Sequence, residues 1–359
     1  MSDAQPAFEG LIQSLKIQAA VCGRMGSAFS QAILDAAAGD IEAGGPTRGL
    51  MDRWAATSTR AAVSDAVPLR LLGALHDRAL GGDDGALAAT YPTDTSSGDP
   101  RAAWTAALAA MSTDPERLSR FMDHEPQTNE VRRSACLLPG FLALASATGL
   151  PMRIFELGAS AGLNQLWDRY AYELGDVGAW GDPDSPVRVP TDWRGAAPAL
   201  EARIEVVDRA ACDRKPVDLT DAAARRRLRA YVWADQRDRL QRLDAAIAVA
   251  LAAGTSVEAA DAVRWTRRRV APRTGAVTVL FHSVFWQYMP PESQTALAQA
   301  IEEIGAMASP SAPFAWLRME PAPNDMASMQ LRLSLWPSGS DTHLATVHPH
   351  GAWVEWLGA

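Results

Sequence analysis

The sequence predicts an α/β protein, in which an all-α N-terminal domain over residues 1–150 precedes an open, mostly parallel sheet over residues 151–359. Three observations carry this expectation. Up to residue 149 the chain is rich in Ala and Leu, nearly free of β-branched runs, and repeats its apolar residues at helical spacing. After Pro151, short β-rich runs alternate with Ala- and Arg-rich stretches, the texture of parallel strand–helix units. Between the two lies PMRIFELGASAGLN, residues 151–164, an apolar run, a Gly-spaced turn and a helix-compatible segment.

The elements follow in order. Phe8, Leu11, Ile12, Leu15 and Ala19 make the stripe of a first helix. Clusters of Gly, Pro, Asp and Ser mark loops at 44–46, 81–85 and 91–100, with helices at 69–80 and 101–111 and a short one at 115–122. A polar segment, 124–134, runs into an apolar helix at 136–147, capped by Thr128 or Asn129. Arg132 and Arg133 then sit in its first turns, where cations oppose the macrodipole, so they serve another purpose or pair with Glu125 or Glu130. Strands are expected near 152–157, 204–207, 256–259, 276–282 and 314–319, and helices near 162–170, 221–252, 262–268 and 292–304. The connection 172–199 is too long for an ordinary strand–helix unit and reads as an insertion, a lid or small added hairpins. Residues 329–336 and 342–347 flank a turn, as in an antiparallel hairpin, and 352–357 adds a last short strand or helix.

Composition bounds the function. With 359 residues the chain is long enough for two domains and a large core, and its apolar fraction of 48% is that of a globular protein. A net charge of −8 and a pI near 5.3 argue against a broad nucleic-acid or anionic-membrane surface, which would need a basic field. The Arg triplets at 225–227 and 267–269 read as solvated helix faces. Cys22, Cys136 and Cys212 fit neither a disulfide framework nor a zinc spacing, which points to a reducing, cytoplasmic setting. The N-terminal residues lack a signal-peptide pattern, and the most apolar segment, 135–150, is interrupted by Pro139 and Gly140 and too short to span a bilayer. His343, His348 and His350 have no metal-ligand spacing, so no metal is expected.

Two chemistries compete for residues 156–164. In a nucleoside or nucleotide pocket, Gly158, Ser160 and Gly162 let a ligand lie over the turn, and Glu156 accepts hydrogen bonds from it. The same residues satisfy G-x-S-x-G, a nucleophile elbow with Ser160 as nucleophile, for which Asp325 and His343 complete a triad in the right chain order. The upstream region supplies no oxyanion loop of the usual type, which favours the pocket. His282 ends the fourth strand, where an open sheet binds ligands, and is the candidate general base; Trp286 and Tyr288 would line an aromatic pocket beside it.

The order of helical prelude, acidic Gly-rich turn, alternating units and terminal hairpin resembles class I S-adenosylmethionine-dependent methyltransferases. Glu156 to Gly162 matches their first-strand loop, with Ser160 where the middle glycine usually stands. The chain is also similar to a bacterial domain of unknown function, number 2332, through QTNEV at 127–131, FELGASAGLN at 155–164, WGDP at 180–183, HSVFWQY at 282–288 and HPHG at 348–351. The resemblance implies a Rossmann-like methyltransferase fold, S-adenosylmethionine as cofactor and a small-molecule acceptor. It implies cofactor contacts from Glu156, Gly158, Ser160, Gly162 and Asn164, a ribose contact from Asp208 at the end of the second strand, and an adenine contact from Asp261 after the third. Catalysis then falls to His282, Tyr288, Asn129 and Arg132 around the cleft. The alternatives are a serine hydrolase or a non-catalytic nucleoside-binding protein, and a homodimer is compatible with either.

Overall fold

A computed structural model describes residues 7–82, 84–322 and 325–358, without the side chains of 325–327. It divides into two compact units, one of Met1–Thr128 with Asp221–Gln241, the other of Asn129–Thr220 with Arg242–Ala359. The division therefore does not follow a boundary at 150.

The first unit is helical. α1 (Glu9–Arg24) and α2 (Ala28–Glu42) form an antiparallel pair, followed by α3 (Pro46–Leu50), α4 (Thr59–Ser64), α5 (Val67–Leu80), α6 (Gly85–Ala88), α7 (Pro100–Thr113) and α8 (Pro115–Met122). Its core gathers Leu11, Leu15, Ile33, Leu34, Leu71, Leu75 and Met111. The predicted stripe of α1 is thus the face that is buried. α9 (Arg133–Thr148) belongs to the second unit, and the helical unit resumes with α10 (Ala222–Ala230) and the start of α11 (Arg237–Ala253). The single helix expected over 221–252 is broken at 231–236. There the Ala230 and Val232 carbonyls turn to the His76 ring, and the Asp235 carboxylate accepts from Ser27 Oγ and the Phe29 N–H.

The second unit is built on one sheet. Its strands are β1 (Met152–Leu157), β2 (Ala171–Leu174), β3 (Ala179–Gly181), β4 (Arg188–Arg194), β5 (Val206–Asp213), β6 (Glu258–Ala259), β7 (Val277–Ser283), β8 (Phe314–Ala322), β9 (Asp325–Trp336), β10 (Ser340–Val347) and β11 (Trp353–Trp356). They lie in the order β3-β2-β4-β11-β10-β9-β8-β7-β1-β5-β6. The block β6-β5-β1-β7-β8 is wholly parallel. Read in chain order, its five strands run 3-2-1-4-5, so the direction of winding reverses at β1. β8 to β11 continue as an antiparallel meander, and β11 returns parallel to β4. The protein is therefore mixed α/β with a large, mostly parallel sheet.

Helices cover both faces. On one, α12 (Ala262–Arg269) and α13 (Pro291–Gly305) seal a core of Phe155, Leu157, Trp265, Leu280, Leu297, Ile301 and Phe314. On the other, α9 approaches so closely that a Cβ on Gly140 would meet Leu317 Cδ1 at 2.4 Å. There Phe141 stacks on Trp167 and meets Phe281 edge-on. The inserted segment supplies β2, β3 and β4, which extend the sheet instead of forming a lid. Among the described residues no helix is long and apolar enough to cross a membrane.

Two expected elements are corrected. The helix expected over 162–170 is a 3-10 stretch, Leu163–Arg169, kinked at Leu166. The hydroxyls of Tyr170 and Tyr172 donate to the Leu163 and Trp167 carbonyls, capturing acceptors that a regular helix would use. The second parallel strand, expected to end at Val207, runs on to Asp213. Ala210, Ala211 and Cys212 are poor strand formers, but β1 pairs with them through Leu157, and tertiary pairing outweighs the propensity.

Candidate functional site

Open parallel sheets bind ligands beyond the carboxyl ends of their strands, where the winding reverses. In this chain that place is the end of β1, flanked by the ends of β5 and β7. The loop after β1 takes left-handed backbone at Gly158, Ser160 and Gly162, with φ of 63°, 53° and 73°. Ser160 holds that conformation without being glycine, at a cost of about 1–2 kcal/mol. Three contacts hold the loop in place: Ala159 N–H to Cys212 O, Ser160 N–H to Asp213 Oδ2 at 2.9 Å, and Val217 N–H to Ser160 O.

Under this loop lies an unusual concentration of unsatisfied polar groups. Glu156 Oε2, Ser160 Oγ, Asn164 Oδ1 and Gln165 Nε2 are all buried and make no hydrogen bond. Four such atoms within ten residues depart sharply from the rule that buried polar atoms are paired. Burial, reinforced by the neighbouring Asp213 carboxylate and opposed by the Gln165 N–H, drives the Glu156 carboxyl well above its ordinary range. Glu156 therefore keeps its proton where a solvated carboxyl would lose it.

The acid at the end of the second parallel strand is Asp213. Asp208 stands near the start of β5, in register with Arg153 and ion-paired to it at 3.2 Å, so the place assigned to it belongs five residues later. Asp213 Oδ1 accepts from the Lys215 N–H and Oδ2 from Ser160, which leaves lone pairs on both oxygens. Asp261 follows β6, as expected, and caps α12 by accepting from the Arg264 N–H.

The four residues proposed for catalysis are not equivalent. Asn129 is buried and its Oδ1 accepts from the Leu163 N–H, while Asn164 Nδ2 donates to the Glu130 carbonyl; these contacts shape the loop from behind. The Arg132 guanidinium donates to the Pro190 and Ala352 carbonyls, and Arg133 to Pro349, so both arginines tie α9 to β4 and to the turn 348–351. His282 is fully buried and engaged at both ring nitrogens. Its Nδ1 lies 2.6 Å from Glu320 Oε1, and its Nε2 accepts from Trp316 Nε1 at 3.0 Å, so no lone pair is left for a substrate proton. This removes His282 as a general base in the observed conformation. Tyr288, by contrast, is 73% exposed on the short 3-10 turn Trp286–Tyr288 and can meet a substrate.

The turn that carries Tyr288 is itself strained. Val284 has φ 52°, rare for a β-branched residue. The Glu320 carboxylate holds it there by accepting from the Phe285 and Trp286 N–H groups as well as from His282. As a result the Phe285 ring lies against Gly158, where an added Cβ would meet it at 2.2 Å. The Gly158 backbone is thus approached by a ring of the protein itself.

A nucleophile elbow is less well served. The strained backbone at Ser160 is present, but its hydroxyl has no partner. His343 Nε2 binds the Ala345 carbonyl on β10, four strands from β1. The side chain of Asp325 lies outside the described residues. Among the described residues no group of three His, Cys, Asp or Glu side chains is placed to hold a metal ion.

A model of the family described as an uncharacterized protein conserved in bacteria, DUF2332, matches residues 13–356. The chain belongs to this family. The match spans both the helical unit and the sheet unit, so the family's shared sequence includes the loop after β1 and the turn after β7. No curated protein and no solved structure matches the chain.

Asp213, Gln165, Trp316 and Glu320 are the site residues that inspection of the sequence misses. Signals existed for two of them. The first turn signal after Val206 is Lys215-Pro216, which places the strand end at Asp213, and Glu320 stands just before Pro321 at the end of β8.

Proposed function

We propose that the sheet unit binds S-adenosylmethionine at the end of β1 and uses it to methylate a small molecule. The observation that carries this reading is the set of four buried, unpaired polar atoms in the loop Glu156–Gln165, at the point where a 3-2-1-4-5 parallel block reverses. A ligand with many hydrogen-bonding groups fits such a place, and the Asp213 carboxylate and the protonated Glu156 carboxyl suit the hydroxyls and polar tail of a nucleoside.

The residues divide the work. Asp213 receives the ribose hydroxyls on its free lone pairs. Glu156, Ser160, Asn164 and Gln165 meet the tail, and Asn129 keeps the loop in shape from behind. Phe285, whose ring packs on Gly158, walls the same loop. The bound cofactor supplies an electrophilic methyl group on a sulfonium centre. Because His282 is occupied, the protein contributes proximity and orientation, with Trp286 and the Tyr288 hydroxyl walling the acceptor. The net charge of −8 favours a small acceptor over a nucleic acid.

Calorimetric titration of the full chain with S-adenosylmethionine and S-adenosylhomocysteine tests the proposal. Asp213→Asn is expected to weaken both ligands by about 10- to 100-fold, the worth of a charge-assisted hydrogen bond, and Asp208→Asn to leave them unchanged. No heat from either ligand at millimolar concentration rejects the cofactor. Binding without methyl turnover on a metabolite library would return a nucleoside-binding protein instead.

A further inference from the structure

A second cleft lies on the sheet unit, apart from the β1 loop. It has a volume of about 350 Å³ and is lined by the 3-10 stretch after β1, by Arg209 to Ala211 of β5, by the turn after α11, and by Glu258 and Arg269. That volume is at the lower end of the range for small-molecule sites. Two departures from a regular parallel unit create it. The first crossover closes as a short 3-10 stretch instead of a full helix, and β6 pairs with β5 only at Cys212 and Asp213. The backbone edge of Ala210 and Ala211 is left facing the cleft.

The lining is rich in donors and cationic, in a protein that is acidic overall. Arg209 is held by Asp168 in a two-pronged pair at 2.9 Å, and Arg269 is held by Glu258 at 3.1 Å. Both keep further N–H groups to offer, since a guanidinium has five. Arg169 is exposed, and its guanidinium makes no hydrogen bond or ion pair among the described residues. Gln165 also lines the cleft, but its buried Nε2 lies on the side of the β1 loop, 2.4 Å from where a Cβ on Gly162 would stand. At the helix end that borders the cleft, two of the terminal carbonyls are satisfied locally. The Gly254 and Thr255 N–H groups fold back onto Leu251 O and Ala250 O, and the Thr255 hydroxyl also donates to Ala250 O.

We infer that this cleft binds a small oxyanion-bearing molecule, a phosphate or a carboxylate, with Arg169 as the principal counter-charge and Arg209 and Arg269 as orienting donors. Guanidinium forks match the planar or tetrahedral oxygens of such groups. Gln165 reaches both sites, because its backbone N–H contacts the Glu156 carboxyl and its carbonyl accepts from Arg209. The inference does not depend on the identity of the ligand at β1.

The test is titration of the full chain with inorganic phosphate and separately with citrate, followed by NMR or calorimetry at an ionic strength fixed with sodium chloride. Saturable binding of at least one anion is expected, weakened about tenfold or more by Arg169→Glu. Arg60→Glu, an equal change of charge at an exposed position of the helical unit, is expected to leave it intact. Phosphate binding alone would identify a phosphorylated ligand and citrate binding alone a carboxylate. Absence of saturation with both anions, indifference to Arg169→Glu, or equal loss in Arg60→Glu would overturn the site. Arg169→Ala, with an unchanged melting temperature, guards against a folding artefact.

Discussion

Glu156 combines a buried position with an unpaired oxygen, and its proton is held by burial and by Asp213. A carboxyl whose pKa is raised on folding lends stability that is complete below its unfolded value and is lost as pH rises through the folded one. Replacing it with Gln, which keeps the shape and never ionises, therefore matters most at the alkaline end. The expected result is that Glu156→Gln gains stability relative to the parent as pH rises from 4 to 9, followed by hydrogen exchange in β1 peptides. Parallel profiles for the two proteins would show that the carboxyl is not held protonated. The place of Glu156 near the end of a strand and before Gly-spaced residues was legible in the sequence. The displacement of Asp208 by Asp213 was not, since three small residues hid the length of β5.

Turns and strands show how far local chemistry reaches. The His-Pro-His-Gly turn carried no interpretable metal spacing, and the structure gives it a mechanical role. Arg132, Arg133 and Cys136 at the start of α9 point to its carbonyls or their neighbours, and Thr191 of β4 donates to Gly351 O. Gly351 has φ 73°, and a Cβ there would lie 2.2 Å from Arg132 O. Gly351→Ala should thus destabilise the sheet unit by about 2 kcal/mol or more, the combined effect of backbone strain and a clash. Gly339→Ala, with φ 69° and open space around it, should show the strain alone, about 1 kcal/mol. Equal melting shifts for the two would refute the clash. Strand and helix positions in the parallel block were readable from alternation. The 3-10 stretch and the broken helix at 231–236 were not, because side chains distant in sequence capture their backbone carbonyls. The arginine triplets, expected as solvated faces, include Arg226 paired with Asp77, and Arg267, Arg268 and Arg269 paired with Glu303 or Glu258.

At the scale of the molecule, the two units respond to pH through different groups, the sheet unit through Glu156 at the alkaline end and the helical unit through His76 at the acid end. In the helical unit His76 is buried with Nδ1 3.0 Å from the Val232 carbonyl, and burial lowers its pKa to about 4. Its neutral form is the folded form, so the stability it lends is present above the unfolded value of 6.5 and falls away as pH drops towards 4. The loss amounts to about 3 kcal/mol. Exchange protection in α5 and around residue 231 should fall over that interval in the parent and remain nearly flat in His76→Gln; a fall of equal size in both would exclude the histidine. The sheet order poses a different problem, one of timing. β4 finds its parallel partner β11 in the pairing of Asp192 with Trp353, which the ribosome makes about 160 residues later. At roughly 5–20 residues per second, β4 waits about 10–30 seconds with that edge unpaired. Its outward positions are Arg188, Pro190, Asp192 and Arg194, charges and a proline that discourage a stray strand from pairing there. The alternation of β4 thus protects the nascent chain as well as shaping the finished sheet.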